Sequence, residues 1–231
     1  MSTAHQIDRT GKRKRTVRRT INAANAAEAV GAIAPGCEIY GLSKGQFSLI
    51  ELIDHVLDAT GPADITISTW TAAGADLAHA SNWLRSDRIR SARWLVDYSF
   101  PNRQPAYCAQ LRDLFGDNAV RTTANHAKFV LIENDRWNVV IRTSMNLNLN
   151  RRLESYEISD DPELAAWLHT VIDDAFNGGA ADIEQATRTP ARARATSETL
   201  AGDISRPPSM SYTLDDKKAT YTTDRSRISY D

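Results

Sequence analysis

His126 and Lys128 stand two residues apart at the head of an apolar run, His126-Ala-Lys-Phe-Val-Leu-Ile132. On a strand that spacing sends both polar side chains to one face while Ala127, Phe129 and Leu131 take the other. An imidazole can attack phosphorus or exchange a proton near neutral pH. An ammonium fixed beside it can hold the anionic oxygens that gain charge in the transition state. The spacing alone is a weak signal, since five His and six Lys in 231 residues produce one such pair by accident with a chance of about 0.13. Its company carries more weight. A second apolar stretch, Trp137-Asn-Val-Val-Ile141, leads into Arg142-Thr-Ser-Met-Asn146, and Ser155-Tyr-Glu157 follows.

Each of these residues also has a bland reading. His126 can be a strand histidine with a backbone partner, and Lys128 a charge that keeps an edge strand from aggregating. Asn146, Asn148 and Asn150 can be turn residues, because Asn tolerates left-handed backbone. His55, His79 and His169 have no lysine two residues on and read as structural or solvated.

The order His-x-Lys, strand, turn, Ser-x-Asn and a Glu thirteen residues after that Ser resembles the phospholipase D superfamily. Ser144 and Asn146 fall on the Ser and Asn of the family's second motif, and Glu157 on the Glu that orients its nucleophilic His. Glu133 stands where the family has Asp, Thr143 replaces the usual Gly, and the gap between them is about three residues longer than the family pattern. The family reaction takes two histidines, one to form a phosphohistidine and one to protonate the leaving oxygen and then activate water. This chain has a single His-x-Lys. The resemblance therefore implies a homodimer whose two copies of His126, Lys128, Ser144 and Asn146 build one shared site.

Periodicity supplies a compatible scaffold. Cys37–Leu42, Asp64–Trp70, Ala92–Tyr98 and Asn118–Thr122 read as strands, and Phe47–Leu57, Ala75–Leu84, Ala106–Phe115 and Asp161–Phe176 as helices. The two motif strands form a hairpin across Asn134–Arg136. The expected fold is α/β, a mixed sheet sandwiched between helices, phospholipase D-like by the resemblance. Ligands of open α/β sheets lie at the carboxyl ends of strands. That rule nominates Ser43, Lys44 and Gln46 after the first strand, Trp70 and Thr71 after the second, and Tyr98 and Ser99 after the third, with Arg142 adding charge.

The flanks differ from this body. Residues 1–20 hold seven basic side chains, Arg9, Lys12, Arg13, Lys14, Arg15, Arg18 and Arg19, against Asp8 alone. Residues 178–231 are rich in Ala, Ser, Thr and Pro and balance eight acids with eight bases. The expectation is a basic flexible arm over 1–20, a catalytic domain over 21–177 and a low-complexity disordered tail over 178–231. With a whole-chain charge of −1, the middle is acidic, so attraction to polyanions must come from the arm or from a local cluster. Cys37 and Cys108 make no disulfide framework, and no Cys/His or acidic cluster suggests a metal. No apolar segment is long enough to span a membrane or serve as a signal peptide.

These features together point to a cytoplasmic, cofactor-free and metal-independent phosphodiesterase, a homodimer acting on nucleic acid without membrane insertion. The alternatives are a phospholipid hydrolase or transferase, and a catalytically weak nucleic-acid-binding accessory protein of the same fold.

Overall fold

The computed structural model describes residues 15–19, 23–72, 74–147, 151–178, 210–215, 218–223 and 226–229. The chain divides into two compact units, Met1–Arg188 and Thr189–Asp231. In the first, strand β1 (Arg15–Arg19) precedes helix α1 (Ala26–Val30), then β2 (Glu38–Ser43), α2 (Leu49–Thr60), β3 (Ala63–Thr69), α3 (Gly74–Arg85), β4 (Ile89–Asp97), α4 (Phe100–Arg103), α5 (Pro105–Phe115) and β5 (Val120–Thr123). The motif region follows as β6 (Phe129–Asn134), β7 (Trp137–Thr143) and β8 (Glu154–Asp160), closed by α6 (Pro162–Gly178).

Local chemistry fixes the boundaries. Ser48 and Glu51 exchange side-chain and backbone hydrogen bonds in a capping box that starts α2, and Gly61 at φ 74° ends it. Pro105 opens α5, where its missing N–H costs nothing. The Asn134 side chain accepts from the backbone N–H groups of Arg136 and Trp137, which closes the β6–β7 hairpin.

Eight strands form one sheet in the order β1-β2-β8-β7-β6-β3-β4-β5. β1 and β2 are parallel, as are β3, β4 and β5, while β2, β8, β7, β6 and β3 pair antiparallel in succession. Val130, Ile132, Val139, Ile141, Tyr156 and Ile158 pack with residues of α1, α2, α3 and α5. The alternate residues Phe129, Leu131 and Val140 pack with Leu164, Ala165, Leu168 and Ile172 of α6. Burial on both faces explains why β6 reads as a continuous apolar run. The expected sandwich of helices around a mixed sheet is what the chain adopts.

Sequence reading passed over β1, α1, α4 and β8. Arg15–Arg19, counted with the arm, pair in register with Arg15 beside Glu38 and Arg19 beside Leu42. The β-branched Thr16 and Val17 suit an edge strand despite the charges around them. β8 alternates Tyr156 and Ile158, both buried, with polar residues, a half-buried pattern obscured by its Ser and Glu content. Within the stretch expected as a tail, β9 (Met210–Asp215), β10 (Lys218–Thr223) and β11 (Ser226–Ser229) pair as an antiparallel meander in the second unit.

Gly41 of β2 lies opposite Tyr156, and the buried tyrosine ring occupies the space that a Cβ on Gly41 would need. The ring is held on its other side by Phe47, edge to face at 5.7 Å between centroids. Gly41→Ala therefore overpacks two adjoining strands and should destabilise the fold by roughly 1–3 kcal/mol. A denaturant midpoint equal to that of the native protein would show that the ring can move aside.

Candidate active site

The carboxyl ends of β2, β3, β4 and β7 and the starts of β6 and β8 meet at one end of the sheet. Ser43 pairs with Glu154, Ser68 with Phe129, Phe129 with Arg142, and Thr143 with Tyr156. His126 and Lys128 stand here just before β6, one step outside the strand in which the periodicity placed them. Lys128 is still laddered to β7, because its carbonyl accepts the Thr143 N–H at 3.2 Å.

Asn125 sets the path of this segment. Its buried side-chain amide donates to Ser68 Oγ, to the Thr69 carbonyl and to the Leu95 carbonyl, at 3.0, 3.4 and 3.1 Å. Its Oδ1 accepts the Ala127 N–H at 3.0 Å, and its own N–H donates to Asp97 Oδ2 at 3.1 Å. Ser68 Oγ also donates to the Ala127 carbonyl at 2.9 Å. The residues on either side of His126 are thus tied to the ends of β3 and β4, and the exposed imidazole stands on a fixed backbone.

Lys128 Nζ donates to the His126 carbonyl at 3.2 Å. Burial pushes its pKa down, and the Glu154 carboxylate pulls it partly back up. The Ser144 hydroxyl donates to Glu154 Oε2 and accepts the Ser155 N–H at 3.0 Å. Asn146 Oδ1 is buried without a hydrogen-bond partner, a group that asks for a ligand or water. Ser43, fully buried beside Glu154, likewise has an unpartnered hydroxyl. Ala72 and Leu147 form a parallel bridge, which joins the loop after β3 to the loop carrying Ser144 and Asn146. One end of the sheet therefore carries an imidazole, an ammonium and an amide, together with a carboxylate that binds the Ser144 hydroxyl and attracts Lys128, groups able to hold and attack a phosphoryl group.

Not every nominated residue joins this set. Glu157 accepts from Arg142 at 2.5 Å, and the two sit opposite each other on neighbouring strands. Alternation puts them in phase with Phe129, on the α6 side of the sheet, whereas Lys128 is in phase with Val130 and Ile132 on the other. Glu154 has the phase of Tyr156 and so faces the Lys128 side. Counting thirteen residues from Ser144 selects Glu157, but the turn between β7 and β8 places Glu154 in contact with Ser144. The Gln46 side chain accepts the Lys44 N–H at 2.6 Å and shapes the turn after β2, leaving the Lys44 side chain exposed. Asn148 and Asn150 lie outside the described residues.

Trp70 is where the strand-end rule placed it, with its ring 5.8 Å from that of His126. Arg103, which no spacing signalled, lies over the same indole with its guanidinium carbon 3.8 Å from the ring centroid. It also donates to the Trp70 carbonyl and to Ser99 Oγ, both at 2.9 Å. Ser99 in turn donates through its N–H and hydroxyl to Asp97 Oδ1.

The remaining described histidines are committed elsewhere. His55 contacts the Gly31 carbonyl, His79 pairs with Asp54, and His169 bridges Glu133 at 2.6 Å and Arg93 at 3.1 Å. Glu133, at the family's Asp position, thus fastens β6 to α6. Burial pushes the Cys108 thiol up to about 11 and raises that of Cys37, so neither is a thiolate nucleophile at neutral pH. Among the described residues no cluster of His, Cys, Asp or Glu could hold a metal, and no helix is long and apolar enough to cross a membrane. A cleft of about 490 Å³ opens at the opposite, hairpin end of the sheet, and Asp64, Arg90, Glu133 and His169 are among the residues lining it.

No protein-family model and no curated protein sequence matches the chain. Among solved structures it is similar to Nuc, a phospholipase D family member from Salmonella typhimurium, at 18% identity and a TM-score of 0.45 over 62% of this chain and 95% of that one. It is also similar to NucT from Helicobacter pylori, at 13% identity and a TM-score of 0.47 over 62% of this chain and 98% of that one. A third likeness is to phosphatidylserine synthase from Haemophilus influenzae, at 11% identity and a TM-score of 0.42 over 71% and 46% of the two chains.

The lowered pKa of Lys128 has a defined sign. Between that lowered value and the ordinary 10.5 the folded chain binds fewer protons than the unfolded one. This group therefore favours folding more as pH rises through that window and opposes it below. Lys128→Met removes the opposition and keeps the stem, so the variant should melt no lower than the native protein at pH 7. Inorganic phosphate at ten times its Kd should stabilise the native chain by roughly 1.4 kcal/mol and the variant by much less. Equal phosphate shifts in thermal melts of the two proteins would remove Lys128 from the anion site.

Proposed function

We propose that the chain is a metal-independent phosphodiesterase that acts on nucleic acid through a phosphohistidine, at a site shared by two copies. The observation that carries this reading is the meeting of His126, Lys128, Ser144, Asn146 and Glu154 at one sheet end while His55, His79 and His169 serve other contacts. Among the described residues one chain then offers one imidazole at this end of the sheet, and a two-step displacement takes two.

In the first step His126 of one copy attacks phosphorus. The P–O bond to the leaving group breaks, and the leaving oxygen takes a proton from His126 of the second copy. That second imidazole then accepts a proton from water, whose oxygen attacks phosphorus as the P–N bond breaks. Lys128 and the side-chain N–H of Asn146 hold the phosphoryl oxygens as their charge grows, and Ser144, whose hydroxyl donates to Glu154, keeps that carboxylate in place. Glu154 fixes Ser144 and balances the Lys128 charge. Lys44 and Trp70 line the approach, and the basic residues of the N-terminal stretch supply long-range attraction to a polyanion.

His126→Ala should lower hydrolysis of a nucleic-acid diester by at least about a thousandfold, and EDTA should leave the native rate in place. Specific activity should fall on dilution below the dimer Kd. A native rate lost to EDTA and restored by a divalent ion, or full activity in a monomer, would defeat the proposal.

The two glutamates separate in kinetics. Glu154→Gln should reduce kcat by about a hundredfold or more, and Glu157→Gln by less than about tenfold. The reverse ranking would return the orienting role to Glu157.

A further inference from the structure

Four of the described arginines in this fold are neutralised by a carboxylate. Arg88 pairs with Asp54 and Asp58, Arg93 with Asp173, Arg112 with Asp117 and Arg142 with Glu157. Arg103 is different. It is exposed, it is held by two hydrogen bonds and a stacked indole, and among the described residues it has no carboxylate partner. Its Nε and one terminal nitrogen are used on Ser99 and Trp70, which leaves Nη1 without a hydrogen-bond partner among those residues. The nearest acid in the network, Asp97, receives hydrogen bonds from the Ser99 N–H, the Ser99 hydroxyl and the Asn125 N–H instead.

A guanidinium held this way has lost its conformational freedom before any ligand arrives, yet keeps its charge and an open donor. Its indole partner, Trp70, is also the neighbour of the His126 ring. When Lys128 and Asn146 hold the scissile phosphate at His126, the next anion along a polynucleotide is the neighbouring phosphate. A phospholipid diester offers no such repeating partner.

We propose that Arg103 binds the phosphate adjacent to the scissile one, so that the site selects a polynucleotide over a diester with a single phosphate. This rests on the reading of His126 as the centre of a phosphodiesterase site. The Trp70 indole sets the spacing between the two anion positions, and Ser99, anchored on Asp97, holds the guanidinium at its edge.

The test is binding, which requires no turnover. Fluorescence anisotropy of a short labelled oligothymidylate, titrated at several salt concentrations, is compared for the native protein, Arg103→Gln and Arg103→Lys. Arg103→Gln should weaken binding about tenfold and flatten the plot of log K against log salt by about 0.7, the value for one contact to a single strand. Arg103→Lys should keep the slope and lose part of the affinity, because it retains the charge but not the planar stack. Affinity and slope equal to native in Arg103→Gln would overturn the assignment. So would an Arg103→Lys variant that loses the slope as fully as Arg103→Gln, since the charge would then not be the contact. Thermal melts identify a variant that has failed to fold, and Arg103→Lys, the milder change, then decides between these outcomes. Hydrolysis by the native protein and by His126→Ala tests the catalytic reading separately.

Discussion

The arrangement at this end of the sheet depends on one buried amide. Asn125 spends its two donor hydrogens and its acceptor on groups from β3, from β4 and from the segment that enters β6. An amide placed in a core without partners costs several kcal/mol, and one with its partners satisfied fixes a single arrangement of the backbone around it. Asn125 thus does what no apolar residue could do at that point. It ends two parallel strands and starts an antiparallel one at the same level, and the next residue in the chain is His126.

A second constraint is the two-residue period of the sheet. A strand offers its polar residues to one face or the other with no intermediate choice, so Glu154 and Glu157 cannot share a site however close they are in sequence. Glu157 is absorbed by Arg142 on the α6 face, where a charge pair can remain partly solvated. Glu154 is left to organise Ser144 and Lys128. The same rule leaves the Arg142 charge on the side away from Lys128, so the positive charge near the imidazole comes from Lys128 and, across Trp70, from Arg103.

Much of this was legible in the sequence. Strong periodicity located α2, α3, α5, α6 and the β6–β7 hairpin, because those segments bury most of one face or both. Spacing picked out His126, Lys128, Ser144 and Asn146, and the rule that sites gather at strand ends picked out Ser43 and Trp70, and the fold brings these residues to one end of the sheet. Glu154 was hidden because a motif counts residues, whereas register depends on how many of them the turn after Asn146 consumes. Asn125 and Asp97 carried no signal, since a lone Asn or Asp in a strand-end segment looks like an ordinary turn residue. Arg103 was masked by Pro101 and Pro105, which make Phe100–Gln104 read as a break rather than as the short helix that carries it. β1 was concealed by its own charge.

The pairing of β2 with β8, from Glu38 opposite Ser159 to Ser43 opposite Glu154, joins segments more than 110 residues apart in the chain. At ribosomal rates of about 5–20 residues per second, β2 emerges on the order of ten seconds before the strand that covers its edge. Until then the central sheet has no closing partner and Ser43 has no Glu154 opposite it. Long-range pairings of this kind are also the slow ones in folding, since the loop must close before its contacts can repay the lost entropy. The imidazole, hydroxyl and carboxylate therefore come together only after almost the whole domain has been made.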